Sequence, residues 1–267
     1  MPLNLPHNLP AIDILSKEHI FVMSDLRAST QDIRPLKIAI LNLMPLKITT
    51  ETDLIRLLSN SPLQIEIDFV QLETHFPKNT PIEHLMEFYK PFSIIKKNFY
   101  DGFIVTGAPV ELIPFEEVNY WQELKDIFNW AQTHVTSTFY ICWAAQAAMY
   151  HFYGINKYPL EKKLFGVFKH NINDPSFPLF RGFDDEFYVP HSRHTTVCID
   201  EIEKHPELTI LSQSDEAGVY IISSRGGREF YVTGHSEYSP LTLHNEYMRD
   251  KERGLDSVEI PKNYYRN

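Results

Sequence analysis

The chain has 267 residues, 43% of them hydrophobic, and a formal net charge of −10 at pH 7. That length and composition suit an ordinary globular fold with a sizeable core. The negative balance argues against nucleic acid or an anionic membrane surface as the main partner. It still permits an anionic small molecule bound by a local cluster of Lys and Arg.

Only two cysteines occur, Cys142 and Cys198. They cannot build a disulfide framework, so a reducing cytoplasm is the expected compartment. The N-terminal "MPLNLPHNLPAIDIL" lacks a basic start and a long apolar stretch, so it does not read as a signal peptide. No run reaches the length of a transmembrane helix. The 12 histidines show no zinc-like spacing with cysteine, and no metal is expected.

Residues 1–35 read as an outer arm with one short helix around "AIDILSKEHI". Residues 36–267 read as a single α/β domain. "LKIAILNLM" (36–44) is a nearly continuous apolar run, as in a strand buried on both faces. "TETDLIRLLSN" (50–60) places Leu54, Leu57 and Leu58 at helical spacing, with Thr50 as the expected N-cap. "LQIEIDFVQL" (63–72) alternates as a strand. "YDGFIVTGAP" (100–109) is a strand ending in a Gly/Pro turn. "VNYWQELKDIFNWAQTH" (118–134) is an amphipathic helix. "STFYIC" (137–142) is a strand, and "WAAQAAMYHFYG" is a helix closed by Gly154.

Alternating strands and helices predict a doubly wound, mostly parallel sheet. Ligands bind such sheets at the carboxyl ends of the strands. Cys142, Lys47 and the "TGAPVE" loop all fall at such ends. The second half is β-rich. "LFGVFKHNI", "EFYVPHSRHTTVCI", "TILSQSDEAGVYIISSRGG" and "EFYVTGHSEYS" read as strands joined by turns. "TLHNEYMRDKERG" (242–254) reads as a charged helix ending at Gly254.

Cys142 admits two readings. It is either a buried cysteine at a strand end or a nucleophile at a strand-to-helix turn. A nucleophilic thiol needs a base, and the base an orienting group. "VTGHSEYS" offers His235 and Glu237 two residues apart, on one side of an extended backbone. The helix after Cys142 favours thiolate through its dipole and brings the Trp143 amide toward a developing oxyanion. Ala144, Ala145, Ala147 and Ala148 either keep that turn open or pack it tightly. Lys162, Lys163, Ser192, Arg193 and Arg249 are polar without a self-evident role. Arg249 reads equally as a surface ion pair with Glu246 or Glu252.

The segments "LKIAILNLMPLKITTETDLIRLLSNSPLQIE", "GFIVTGAPVE", "FEEVNYWQEL", "STFYICWAAQAAMYHFYGI", "KKLFGVFKH", "RGFDDEFYVPHSRHT", "VTGHSEY" and "EYMRDKERG" together resemble the MetA-type homoserine O-acyltransferases. The likeness runs collinearly from about Pro35 to the end of the chain. It implies a fold similar to class I glutamine amidotransferases and a role in methionine biosynthesis. It also implies acyl transfer from acyl-CoA to L-homoserine, with acyl-CoA as co-substrate and no cofactor. On the family pattern Cys142 is the acyl-thioester nucleophile, His235 the general base and Glu237 its partner. Lys47 supports the oxyanion with the Trp143 amide. Lys163, Ser192 and Arg249 bind substrate, with Arg193 beside them. Glu111 matches the position linked to donor choice, and a glutamate there resembles the acetyl-CoA users. A homodimer is the protein partner considered.

Two departures stand out. Family members show "CWGAQAG" where this chain reads "CWAAQAA", with Ala144, Ala145 and Ala148. The family also continues for a few dozen residues past "PKNYY", so a truncated or divergent C-terminal end is expected. The rival readings are a homoserine O-succinyltransferase, a glutaminase or other cysteine hydrolase on this fold, and a non-catalytic binding protein.

Overall fold

The computed structural model describes residues 3–6, 8–18, 20, 22–24, 34–77, 79–254 and 259–266. They fall into two compact units, residues 1–109 with 115–139 and residues 110–114 with 140–267.

The first unit holds strands β1 (Leu3–Leu5), β2 (Val22–Ser24), β3 (Leu36–Leu41), β4 (Ile65–Gln71), β5 (Tyr89–Pro91), β6 (Tyr100–Val105) and all of β7 (Val135–Ile141) but its last two residues. Their order is β2-β1-β4-β3-β6-β7, with β5 also on β4. Pairings of β1 with β2, β4 with β1, β3 and β5, and β3 with β6 are all parallel. Parallel neighbours need crossovers. Helices α1 (Ala11–Lys17), α2 (Lys47–Leu58), α3 (Ile82–Phe88), α4 (Phe92–Ile95) and α5 (Trp121–His134) lie along those connections. The apolar run of β3 is buried as its composition predicts, with Ala39, Ile40 and Leu41 wholly enclosed. Each such Ile or Leu contributes about 1.5–3 kcal/mol. Helix α5 buries Trp121, Leu124, Ile127, Phe128 and Ala131, a stripe at helical spacing.

Three details differ from expectation. The segment read as an outer arm supplies β1 and β2 to the sheet and buries Leu5, Leu9, Ala11 and Leu15. Helix α2 begins at Lys47, so Thr50 lies inside it and donates its hydroxyl to the Leu46 carbonyl at 3.2 Å. The buried face of α2 runs through Glu51, Leu54 and Ile55, while Leu57 is exposed.

The second unit opens with α6 (Trp143–Tyr153), closed by Gly154 at φ 70°. Strands β8 (Lys157–Ile172), β9 (Glu186–Val197), β10 (Thr209–Ser214), β11 (Gly218–Ser224) and β12 (Glu229–Val232) follow, with helices α7 (Ile199–Ile202) and α8 (Thr242–Glu252). Their order is β12-β11-β10-β8-β9, and every pairing along it is antiparallel. The β-rich reading of this half therefore holds; short turns join β10 to β11 and β11 to β12, while the chain from β9 to β10 passes over β8 through α7. The C-terminal segment joins β8 through a parallel bridge of Lys262 with Gly166. A side chain at Gly166 would meet the Lys262 backbone at 2.4 Å, so only glycine admits this approach. Strand β12 stops at Val232, short of the stretch expected to carry His235 and Glu237.

Candidate active site

Strand β7 runs into Cys142, and α6 starts at the next residue. Cys142 takes φ 52° and ψ −115°, a conformation that L-residues rarely adopt. Its N–H donates to the Val232 carbonyl at 2.7 Å, and its carbonyl accepts from Ala145 and Gln146. A strained strand-to-helix turn of this kind lifts a nucleophile out of the backbone, as in the elbow of serine hydrolases. The thiol is 6% exposed. Ala144, Ala145, Ala147 and Ala148 are fully buried, so these small residues serve the packing of α6. Trp143, also buried, places its amide at the head of the helix.

His235 and Glu237 lie in a turn, not on an extended strand. The chain bends because the His235 N–H donates to the Pro190 carbonyl. Gly234 also packs so tightly that a Cβ there would meet His191 and Val189 at 2.8 Å. Glu237 still reaches His235, whose Nδ1 donates to Glu237 Oε1 at 2.6 Å. That bond leaves Nε2 for Cys142, which is hydrogen-bonded to the imidazole. Burial works against charge on His235. The carboxylate of Glu237, the charge on Cys142 and hydrogen bonds to both outweigh it and hold His235 well above its ordinary 6.5. Thiol, imidazole and carboxylate thus stand in a connected row.

A second cluster is built on β8, β9 and α8. Ser192 Oγ donates to Glu246 Oε2, and Tyr238 OH to Glu246 Oε1 at 2.9 Å. Lys163 Nζ stands 3.5 Å from Glu246 and 3.2 Å from Asp250, with the Phe165 ring 4.1 Å away. Arg249 pairs with its neighbour Asp250 at 2.7 Å rather than with Glu246 or Glu252. Lys163, Ser192 and Arg249 are therefore gathered together. The sequence reading gave no role to Tyr238 or Asp250 and named Glu246 only as an ion-pair partner for Arg249. Their signal was the acidic pair four residues apart on α8 and the tyrosine three residues after His235.

Arg193 does not join this cluster. Successive strand residues face opposite sides, and its guanidinium turns away from the Ser192 side. It is 2% exposed and donates to the carbonyls of Thr195 (2.5 Å) and Ala217 and toward His191 Nδ1. Burial pulls it down to about 10, against the opposing charges of Cys142 and Glu111, so it stays a cation. Glu111 accepts the His194 N–H at Oε2, 2.6 Å away. Lys157 Nζ holds the carbonyls of Glu111 and Ile113 at 2.6 Å each.

In the first unit, Lys47 opens α2 and is 5% exposed. Its Nζ donates to the Asn42 carbonyl and lies 5.3 Å from the Tyr89 ring centre. Glu51, one turn on and fully buried, accepts Tyr89 OH at 2.5 Å and meets His84 Nε2 at 3.0 Å. Burial lowers Lys47 to about 8, with Glu51 opposing. Among the described residues, no group of three or more His, Cys, Asp or Glu is arranged to hold a metal, and no helix is long and apolar enough to cross a membrane.

The chain is 67% identical to a homoserine O-acetyltransferase of Parabacteroides distasonis, over all of this chain and 86% of that protein. It is 58% identical to one of Acetivibrio thermocellus, over 99% of this chain and 87% of that protein. Among solved structures, a glutamine amidotransferase of Thermotoga maritima matches with a TM-score of 0.60 at 13% identity, covering 85% of this chain and 87% of that one. The glutaminase domain of Trypanosoma brucei CTPS matches with a TM-score of 0.52 at 12% identity, covering 84% and 96%. At such identities these two establish the fold alone, and it is the class I glutamine amidotransferase fold. The model of the homoserine O-succinyltransferase family matches residues 2–267, and the chain belongs to that family.

Proposed function

We propose that this homoserine O-acyltransferase of methionine biosynthesis takes its acyl group from acetyl-CoA and works through an acetyl-Cys142 intermediate. The Cys142 thiolate attacks the thioester carbonyl carbon. Charge develops on the carbonyl oxygen, toward which the helix N-terminus at Trp143 directs positive potential. The C–S bond to CoA breaks, and the departing thiolate takes the proton of the His235 imidazolium. L-homoserine then enters. Its carboxylate suits the guanidinium of Arg249, and its ammonium suits the carboxylate of Glu246. His235 Nε2 takes the hydroxyl proton, the oxygen attacks the acetyl carbonyl, and Cys142 leaves as thiolate. The product is O-acetyl-L-homoserine. Lys47 enters this scheme through the family pattern alone. No cofactor takes part beyond the acyl-CoA co-substrate. Two free cysteines suit a reducing compartment, so we place the protein in the cytoplasm.

The choice of acetyl rests on one observation: the Glu111 carboxylate is pinned to the His194 amide. A side chain so held fills space that a longer acyl chain needs. It also opposes the second carboxylate of succinyl-CoA. At ~4 Å that repulsion is about 1 kcal/mol in water and about 4 kcal/mol at an effective dielectric of 20. Each ~1.4 kcal/mol is tenfold in selectivity. Incubation with homoserine and each acyl-CoA in turn, with products identified by mass, is the test. Wild type is expected to yield O-acetylhomoserine, and Glu111→Gly to gain succinyl transfer. A wild type preferring succinyl-CoA, or an unchanged preference in the variant, would overturn the acetyl assignment. Ammonia released from glutamine without CoA would overturn acyl transfer itself.

A further inference from the structure

The ring of Tyr238 lies face to face with the His235 imidazole, centroids 4.1 Å apart and planes 18° from parallel. Its hydroxyl donates to Glu246 Oε1 at 2.9 Å. The other oxygen of Glu246 receives Ser192 Oγ and, at 3.5 Å, Lys163 Nζ. One side chain therefore touches the base with its face and the polar cluster with its tip.

The base has an exacting task. The same imidazole gives a proton to the CoA thiolate in one half-reaction and takes one from the homoserine hydroxyl in the other. The bond from Nδ1 to Glu237 fixes one edge of the ring. A single hydrogen bond limits direction but allows the ring to tilt about it. A flat aromatic surface against the ring removes that freedom, and an error of about 1 Å in such a group can cost a hundredfold in rate. The stack also favours the cationic imidazole, because an aromatic face is negative. Burial of the tyrosine, then the nearby carboxylates of Glu246 and Glu237 and the charge on Cys142, keep its own hydroxyl protonated and able to donate.

We propose that Tyr238 is a positioning residue with two separable parts: its ring holds the His235 imidazole in plane beside Cys142, and its hydroxyl holds Glu246 where the homoserine ammonium docks. The proposal rests on the acyl-transfer reading of the site. The two parts act in different half-reactions, so two substitutions separate them. Tyr238→Phe keeps the ring and loses the hydroxyl. Tyr238→Leu loses both.

The readouts are the burst rate of acetyl-Cys142 formation from acetyl-CoA, its pH profile, and the homoserine KM. Tyr238→Phe is expected to keep a burst rate within about twofold of wild type, because stacking survives. Its homoserine KM is expected to rise about tenfold through the lost bond to a carboxylate. Tyr238→Leu is expected to slow the burst roughly ten- to a hundredfold. The alkaline limb of its burst profile should move to lower pH, since the imidazolium loses its aromatic face. Tyr238→Met takes its place if the leucine variant does not fold. Equal burst rates in the phenylalanine and leucine (or methionine) variants overturn the role of the ring. An unchanged homoserine KM in Tyr238→Phe overturns the role of the hydroxyl. A wild type that forms no acetyl-Cys142 overturns the acyl-transfer reading, and this proposal with it.

Discussion

Cys142 carries the one positive φ among residues of the proposed row, and its surroundings explain why that strain persists. Its backbone N–H is held by Val232 and its carbonyl by the first turn of α6. The side chain therefore cannot relax into the helix or the strand. Its partners differ in kind. In the proposed scheme His235 moves protons, whereas Glu237 only orients the ring and stabilises its charge. His235→Ala is therefore expected to lower kcat by about 10²–10⁴-fold, and Glu237→Gln by clearly less. Rates at saturating substrates for both variants check the order, and equal small losses would reduce the pair to a structural contact. The proposed row was legible because a cysteine between a β-rich run and an alanine-rich run, and a histidine two residues from a glutamate, are local patterns. Arg193 was not legible. Side by side with Ser192, it differs only in which face of β9 it takes.

Helix α2 shows how an element sets the chemistry of its first residue. Burial brings Lys47 to about 8 from an ordinary 10.5. Between those values the unfolded chain binds more protons than the folded one, so this group makes stability rise with pH across that window. Below about pH 8 the charged amine is buried at a cost, which Glu51 offsets in part. Lys47→Met removes the slope. Relative to the variant, wild type is expected to gain stability from about pH 8 to 10.5. Urea midpoints across that range test it, and parallel curves for the two proteins would contradict it. At this scale the long elements were readable. Helix α5 repeats its apolar residues over nearly four turns, and β3 is apolar except for Lys37. The segment 82–95 was not readable. Pro81 and Pro91 bracket pieces of at most two turns, too short for a period to emerge.

At the scale of the whole molecule, the first unit is knit by parallel pairings and the second by antiparallel ones. The second also encloses a polar chain. Arg193 Nε donates toward His191 Nδ1, so His191 carries its proton on Nε2 and donates it to His170 Nε2 at 3.1 Å. His170 then holds its proton on Nδ1 and donates to the Phe168 carbonyl at 2.9 Å. Every bond has one consistent direction only if both imidazoles are neutral. Burial first, and then Arg193, hold His170 down at about 4, despite the bond to Phe168. His191 is likewise held well below 6.5. The unfolded chain binds more protons than the folded one between about 4 and 6.5, so stability is lost as pH falls through that interval. His170→Gln is expected to flatten this loss. Melting temperatures of both proteins from pH 7 downward check it, and identical slopes would show that other groups govern acid unfolding.

The sequence by itself determined the alternation of strands and helices in the first half, the β-rich second half, the Cys142 junction, the His235–Glu237 pair and the family likeness. These rest on periods and motifs a few residues long, which a linear reading can see. Only the tertiary structure decided which side chains meet. Ser192 reaches Glu246 across 54 residues, and Glu111 reaches His194 across 83. Tyr238 turns its face to His235 because the chain bends after β12 instead of continuing as a strand. Such meetings depend on the register of β8 against β9 and on where α8 lies beside them. A contact between distant residues leaves no periodic trace in the chain, so folding alone assigns it.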